Sequence, residues 1–231
     1  MTRLLVITLL LCSTAAAASH LMVLARKNVP AGGGFDVMEE TFEASPFDNA
    51  GSYTEDDAEG DVDPDHGTTV YAGSRSMEIL VTTSGTNHFA RYDHGASSGI
   101  TDYYYRVWVY LPSGQTSGDI GYAFQADDTT TGIGAADDIS LRLRPQDGQI
   151  VQYYITNTGI TNATLDTWHY IEGHYPTGDW KLDGTNCPST TADATPNDFR
   201  YLKIGGGTGG PEDGDFYIDN IAVDTTGWIG P

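Results

Sequence analysis

The sequence predicts an all-β chain folded as a two-sheet antiparallel β-sandwich, and three observations carry that prediction. Composition comes first: 28 glycines, 14 tyrosines and many Thr and Asp residues surround short apolar runs, the mix found in strands joined by turns. Periodicity comes second, because the apolar residues alternate with period two rather than with the period of a helix. Spacing comes third: turn clusters such as Pro112-Ser113-Gly114, Gln146-Asp147-Gly148 and Leu182-Asp183-Gly184 recur between the runs, and helix signals are nearly absent after the N-terminal segment. With 231 residues, one large β domain is the simplest reading.

Taken in order, residues 1–19 read as a secretory signal peptide. Arg3 supplies a short positive start, residues 4–11 an apolar stretch too short to span a bilayer, and residues 15–18 a small-residue cleavage zone. The expected location is therefore secreted, extracellular, with no transmembrane span. Leu11-Cys12 departs from a lipoprotein signal, which wants a small residue before the cysteine. After cleavage Cys187 is the one remaining thiol, so stability must come from the core or from a metal rather than from an intramolecular disulfide. Residues 20–34 are a flexible linker or arm, basic at Arg26 and Lys27 and then glycine-rich. The sandwich is expected to fill residues 35–231.

Its first strand is expected over residues 35–43, followed by a long acidic loop over 48–67. Strands then follow at 70–71 with 76–82, 88–92, 103–111, 120–125, 139–144, 150–156, 168–175, 180–182, 201–204 and 216–223, about ten short strands in all. Gly205-Gly206-Gly207 reads as a loop, because no strand-to-helix junction surrounds it. The last strand alternates Phe216 and Ile218 with, after a polar pair, Ile221 and Val223. Asp219 stands in its middle, where an apolar residue would be cheaper, so a cation is the natural offset for its desolvation.

Thirty-two acidic residues against 11 basic ones give a formal charge of -21. Nucleic acid and anionic membrane surfaces are excluded as partners, since both are bound through Lys/Arg patches. Twelve of the acids fall between Asp36 and Asp65 with no Lys or Arg among them, which fits either a soluble, salt-adapted surface or binding of divalent cations. Asp61-Val62-Asp63-Pro64-Asp65-His66-Gly67 has acids at alternate positions but lacks the glycine and the terminal glutamate of an EF-hand, leaving room for a weaker second ion at most.

Five motifs in order carry a family resemblance: Thr41-Phe42-Glu43; Gly73-Ser74-Arg75-Ser76-Met77-Glu78-Ile79; Tyr104-Tyr105-Arg106-Val107-Trp108-Val109-Tyr110-Leu111-Pro112; Trp168-His169-Tyr170-Ile171-Glu172 followed by Lys181-Leu182-Asp183-Gly184; and Tyr217-Ile218-Asp219-Asn220-Ile221-Ala222-Val223. Their order resembles the concanavalin A-like lectin/glucanase jelly roll in its laminin-G-like branch. The resemblance implies one convex and one concave sheet, with ligands on the concave face or the loop rim. It also implies a structural calcium tying the first strand to the last, with Asp219 on the ion and Glu43 and a carbonyl near Gly73 as partners.

For a glycan, the expected binding face follows from alternation. In residues 103–111 the core set is Tyr103, Tyr105, Val107, Val109 and Leu111, which leaves Tyr104, Arg106, Trp108 and Tyr110 as an aromatic and cationic outer set. Tyr170, Glu172 and His174 alternate in the same way, and Arg142 and Tyr154 are expected to extend the surface on neighbouring strands. The alternative reading of the same residues is a set of cross-strand pairs on a solvated or loop-covered sheet.

No catalytic residues are assigned. The Glu-x-Asp-x-x-Glu strand motif of glucanases of this fold does not occur, and Glu55-Asp56-Asp57-Ala58-Glu59 falls in a predicted loop. A polysaccharide lyase would need a Tyr or His base with a uronate-neutralising group, for which His88, Tyr92, His94, Arg106 and Gln152 are the candidates. The expected function is a secreted, calcium-stabilised module that binds a polysaccharide, glycan or other surface ligand without catalysis. The competing class is a structural subunit of an extracellular assembly, such as a filament, surface layer or virion appendage, with identical subunits as partners.

Overall fold

Alternation of side chains decides which way each strand faces. In Tyr103–Tyr110, residues Tyr103, Tyr105, Val107 and Val109 are at most 1% exposed and point into the core, while the residues between them stand on the opposite face. Phe216, Ile218, Ile221 and Val223 of Gly214–Asp224 do the same. Each such side chain contributes about 1.5–3 kcal/mol through burial, which is why a period-two apolar pattern commits a segment to one sheet face.

The structure is a computed structural model that describes residues 37–43, 52–56, 62–81, 88–94, 98–115, 121–127, 139–144, 147–154, 157–190, 192–193, 196–206 and 214–231. The expected signal peptide and arm lie outside the described residues. Residues Phe35–Pro231 form one unit. Its strands are β1 (Met38–Glu40), β2 (Ser52–Asp56), β3 (Val62–His66), β4 (Ser76–Val81), β5 (His88–Asp93), β6 (Tyr103–Tyr110), β7 (Gly121–Asp127), β8 (Ile139–Arg144), β9 (Gln149–Tyr154), β10 (Asn157–Asn162), β11 (Trp168–Tyr175), β12 (Asp179–Leu182), β13 (Thr185–Asn186), β14 (Tyr201–Gly206) and β15 (Gly214–Asp224). No α-helix occurs among the described residues, and so none is long and apolar enough to cross a membrane.

Two antiparallel sheets result. The first runs β13-β12-β11-β6-β15-β4-β3, with β1 also on β15; the second runs β10-β9-β8-β7-β14-β5-β2. Between them lies one core that joins Val107, Ile171 and Ile218 of the first sheet to Phe124, Leu141, Leu143 and Ile204 of the second. The all-β sandwich predicted from composition and periodicity is the observed architecture.

The expected acidic loop over residues 48–67 contains two strands, β2 and β3. Both are edge strands, β3 of the first sheet and β2 of the second. Edges carry charge and proline readily because one of their sides faces no partner, so they lack the apolar alternation that marks a central strand. The polar edge strand β10 escapes the sequence pattern for the same reason. Conversely, residues 70–71 are not a strand but part of the connection from β3 to β4.

Candidate functional site

The β6/β11 register places seven of the nine candidate ligand-binding residues on one face. His174 is opposite Tyr104, Glu172 opposite Arg106, Tyr170 opposite Trp108 and Trp168 opposite Tyr110. All of them lie on the outer side of the first sheet. Three are nevertheless buried: Trp108 is 7% exposed, Arg106 6% and Glu172 3%.

Two segments of the chain cover them. Tyr71, in the connection between β3 and β4, stacks on Trp108 with ring centroids 3.5 Å apart and planes 17° apart. From the other end, the segment after β15 folds across the face. The Arg106 guanidinium donates to the Gly230 carbonyl and to Asn220 Oδ1, each at 3.0 Å, and the Gly230 amide donates to Glu172 Oε1. Tyr104 stacks on His174 at 4.0 Å and meets the Trp228 ring edge-on at 5.4 Å. His174 in turn bonds Asp102 and Thr177. Arg106 and Glu172 therefore grip the C-terminal backbone.

That segment ends the cover with an open groove. Trp228 is 40% exposed, and Lys181 Nζ sits 3.5 Å from the centroid of its ring. Asp179, Lys181, Asn186, Cys187 and Ser189 line a groove of about 460 Å³ beside the indole. The Ser189 hydroxyl donates to Asp179 Oδ1 at 2.8 Å, which holds that carboxylate in place. Sequence reasoning missed this site, because one Trp after the last strand carries no periodic signal.

Arg142 and Tyr154 do not join this face. Their strands, β8 and β9, belong to the second sheet. Position 154 pairs with core residue Ile139. The outer face of that second sheet has its own character. One row runs Arg91, Lys203, Gln125 and Ser140 across β5, β14, β7 and β8, and the next runs Phe89, Gly205, Tyr122 and Arg142. The Arg142 guanidinium lies 5.2 Å from the Tyr122 ring, and those of Arg91 and Arg200 lie 5.3 and 4.6 Å from the Tyr201 ring. Of the eight Lys and Arg residues after position 34, four (Arg91, Arg142, Arg144, Lys203) stand on this face, with Arg200 at its border; the arginines are partly exposed, whereas Lys203 is buried, as are Phe89, Tyr122, Gln125 and Ser140 beside it.

The residues considered for a lyase are dispersed. Tyr92 packs against the core, Arg106 is on the first sheet, and Gln152 is fully buried with its amide donating to the Gly178 carbonyl.

The calcium candidates do converge. The β15 register jumps between Asp219 and Ala222, with Asn220 at a φ of 53°, and this bulge turns Asp219 toward the β3–β4 connection. Asp219 Oδ2 accepts the Tyr71 and Ala72 amides, each at 3.0 Å. Its Oδ1 is buried with no hydrogen-bond partner among the described residues. Burial pushes the carboxyl up to about 7, against the pull of the Ala72, Tyr71 and Asn220 amides, and the Glu43 charge adds to the rise.

Glu43 accepts the Ser74 amide and hydroxyl at 2.8 Å and the Arg75 amide at 3.2 Å. Burial opposes its ionisation, but these bonds and the Arg75 charge hold its carboxyl below the usual range. Gly73, at a φ of 76°, passes so close to this carboxylate that a Cβ would collide with it. Two carboxylates from different elements that both bond the β3–β4 connection, one with an orphaned buried oxygen, fit a hard oxygen-seeking cation.

No family model matches this chain, and no curated protein matches it. Solved structures do. The binding domain of botulinum neurotoxin serotype D superposes with a TM-score of 0.57 at 9% identity, covering 82% of this chain and 47% of that one, so the chain spans about half the length of that domain. The cellulose-induced protein Cip1 gives 0.53 at 16% identity over 82% of this chain and 97% of its own. Trypanosoma rangeli sialidase in complex with sialic acid gives 0.50 at 14% identity, covering 75% and 30%. At these identities the likeness establishes the fold, a β-sandwich.

Proposed function

We propose that this protein is a laminin-G-like carbohydrate-binding module that works outside the cell without catalysis and takes its ligand in the groove beside Trp228. The observation that carries the reading is the exposed indole set among hydrogen-bonding groups. Sugar rings lay their C–H faces on an aromatic plane, while hydroxyls need donors and acceptors at its border, which Asn186 and Asp179 supply; Lys181 Nζ covers one face of the indole, so the sugar would take the other. The rigid sheet under Tyr104 and His174 fixes the indole from behind. The neighbours are in keeping with a binding role, since one is a toxin binding domain and another a sialidase holding sialic acid.

Calcium is proposed as the structural ion, held by Glu43 and Asp219 with a carbonyl near Gly73. It would supply positive charge against the buried Asp219 oxygen and fasten the β3–β4 connection to β15.

A second binding reading rests on the partly exposed arginines of the second sheet, Arg91, Arg142, Arg144 and Arg200, which in a chain of charge -21 are an exception that suits an acidic polysaccharide. One experiment separates the two: retardation of the protein in gels containing neutral or acidic polysaccharides, with Trp228→Ala and Arg142→Ala compared and products assayed. Loss of retardation in Trp228→Ala alone supports the groove, and loss in Arg142→Ala with acidic chains alone supports the second sheet. No retardation by any glycan, combined with assembly into large particles, overturns both in favour of a structural subunit.

A further inference from the structure

We propose that Asp63, His66 and Glu78 form a separate site for a first-row divalent transition ion such as Zn2+. In a regular strand, positions 63 and 66 face opposite sides of the sheet. Here the register pairs Asp63 with Glu78 but His66 with Ser76, three residues of β3 advancing against two of β4. The bulge holds Pro64 and Asp65 and returns His66 to the face occupied by Asp63 and Glu78. The sequence thus spends a strand irregularity on bringing one imidazole and two carboxylates together.

Their ligand atoms all lie within 4.8 Å of one another, and His66 Nδ1 is 2.9 Å from Glu78 Oε2. That spacing suits adjacent ligands on an ion held at about 2.0–2.2 Å. The surroundings orient each group. His66 Nε2 bonds Thr68 Oγ1 at 2.7 Å; with an ion in place, Nε2–H would donate to that hydroxyl, and Nδ1, which faces Glu78 in the metal-free protein, would give up its proton and ligate. The Asp65 amide donates to Asp63 Oδ1 at 2.9 Å. The Tyr217 ring lies 4.8 Å from the imidazole, and its hydroxyl hydrogen-bonds Glu78. An imidazole with two carboxylates selects Zn2+, Mn2+ or Ni2+ over calcium, which takes oxygen ligands. Occupied, the site would clamp edge strand β3 onto β4, two residues along β15 from Asp219.

The test is calorimetric titration of ZnCl2 into chelator-treated, calcium-saturated protein. One zinc per chain is expected, with at least about 100-fold weaker binding in His66→Gln and Glu78→Gln and about 10-fold weaker in Thr68→Val. His174→Gln, whose imidazole lies elsewhere on the sheet, should bind as the wild type does. Melts without metal identify any variant that fails to fold, and Thr68→Val, at an exposed position, remains informative if the others do. Absence of zinc binding by the wild type overturns the proposal. So does zinc binding that survives His66→Gln and Glu78→Gln unchanged, which would leave only a His66–Glu78 ion pair.

Discussion

Asp219 makes the sharpest test of what buries it. An ordinary aspartate ionises near pH 3.8, whereas burial raises Asp219 to about 7. Between those values the metal-free folded protein holds a proton on Asp219 that the unfolded chain has released. Deprotonation then favours the unfolded state, so stability falls as pH rises from about 4 to about 7 and stays low above that. About 3 pH units at 1.36 kcal/mol each give at most about 4 kcal/mol, or about 10 °C of melting temperature for a unit of this size. Calcium favours the ionised form. It should therefore flatten the slope and stabilise most at pH 8, where no proton competes. Asp219→Asn keeps an acceptor for the Tyr71 and Ala72 amides but removes the charge, so it should lose both the slope and the calcium response. The assay is a set of thermal melts from pH 5 to 8, in chelator or in millimolar calcium, for wild type and variant. Parallel pH profiles for the two proteins would refute the burial argument. A calcium response that survives in Asp219→Asn would place the ion elsewhere.

Trp228→Ala should abolish glycan retention while lowering the melting temperature by less than about 3 °C, because the indole is partly exposed and rests on the sheet rather than within it. Gly73→Ala forces a side chain into a left-handed backbone and into the Glu43 carboxylate, so calorimetry should record a loss of about 2–4 kcal/mol. Glu172→Ala removes the acceptor of the Gly230 amide and should cost about 1–3 kcal/mol. In that variant residues 225–231 should become sensitive to carboxypeptidase and Trp228 emission should shift to the red, and unchanged protection would mean that the tail is held by its aromatic contacts alone.

What the sequence disclosed depended on whether burial or pairing defines an element. β8 could be bounded from sequence because its inward residues, Ile139, Leu141 and Leu143, are apolar and its outward residues, Ser140, Arg142 and Arg144, are not. β2, β3 and β10 could not, since an edge strand is defined by backbone bonds to one neighbour and leaves little trace in side-chain type. The same division holds at the sites. Asp219 is legible as an acid in an apolar strand, but its donors lie 147 and 148 residues away and no local pattern announces them. Period two tells which side of a strand Arg142 occupies, not which sheet the strand joins.

The outer face of β6 and β11 shows the cost of that ambiguity. An aromatic and cationic strand face reads equally well as a surface for a glycan and as a floor for the chain's own backbone. Arg106 and Glu172 decide the matter, because a guanidinium bonding the carbonyl and a carboxylate bonding the amide of one glycine satisfy both backbone polar groups of that residue. With Gly230 fixed there, Trp228 two residues earlier is held against Tyr104 and Lys181 with part of its ring in solvent. The polar residues that looked like a binding surface thus act one step back: they position the segment that presents the indole.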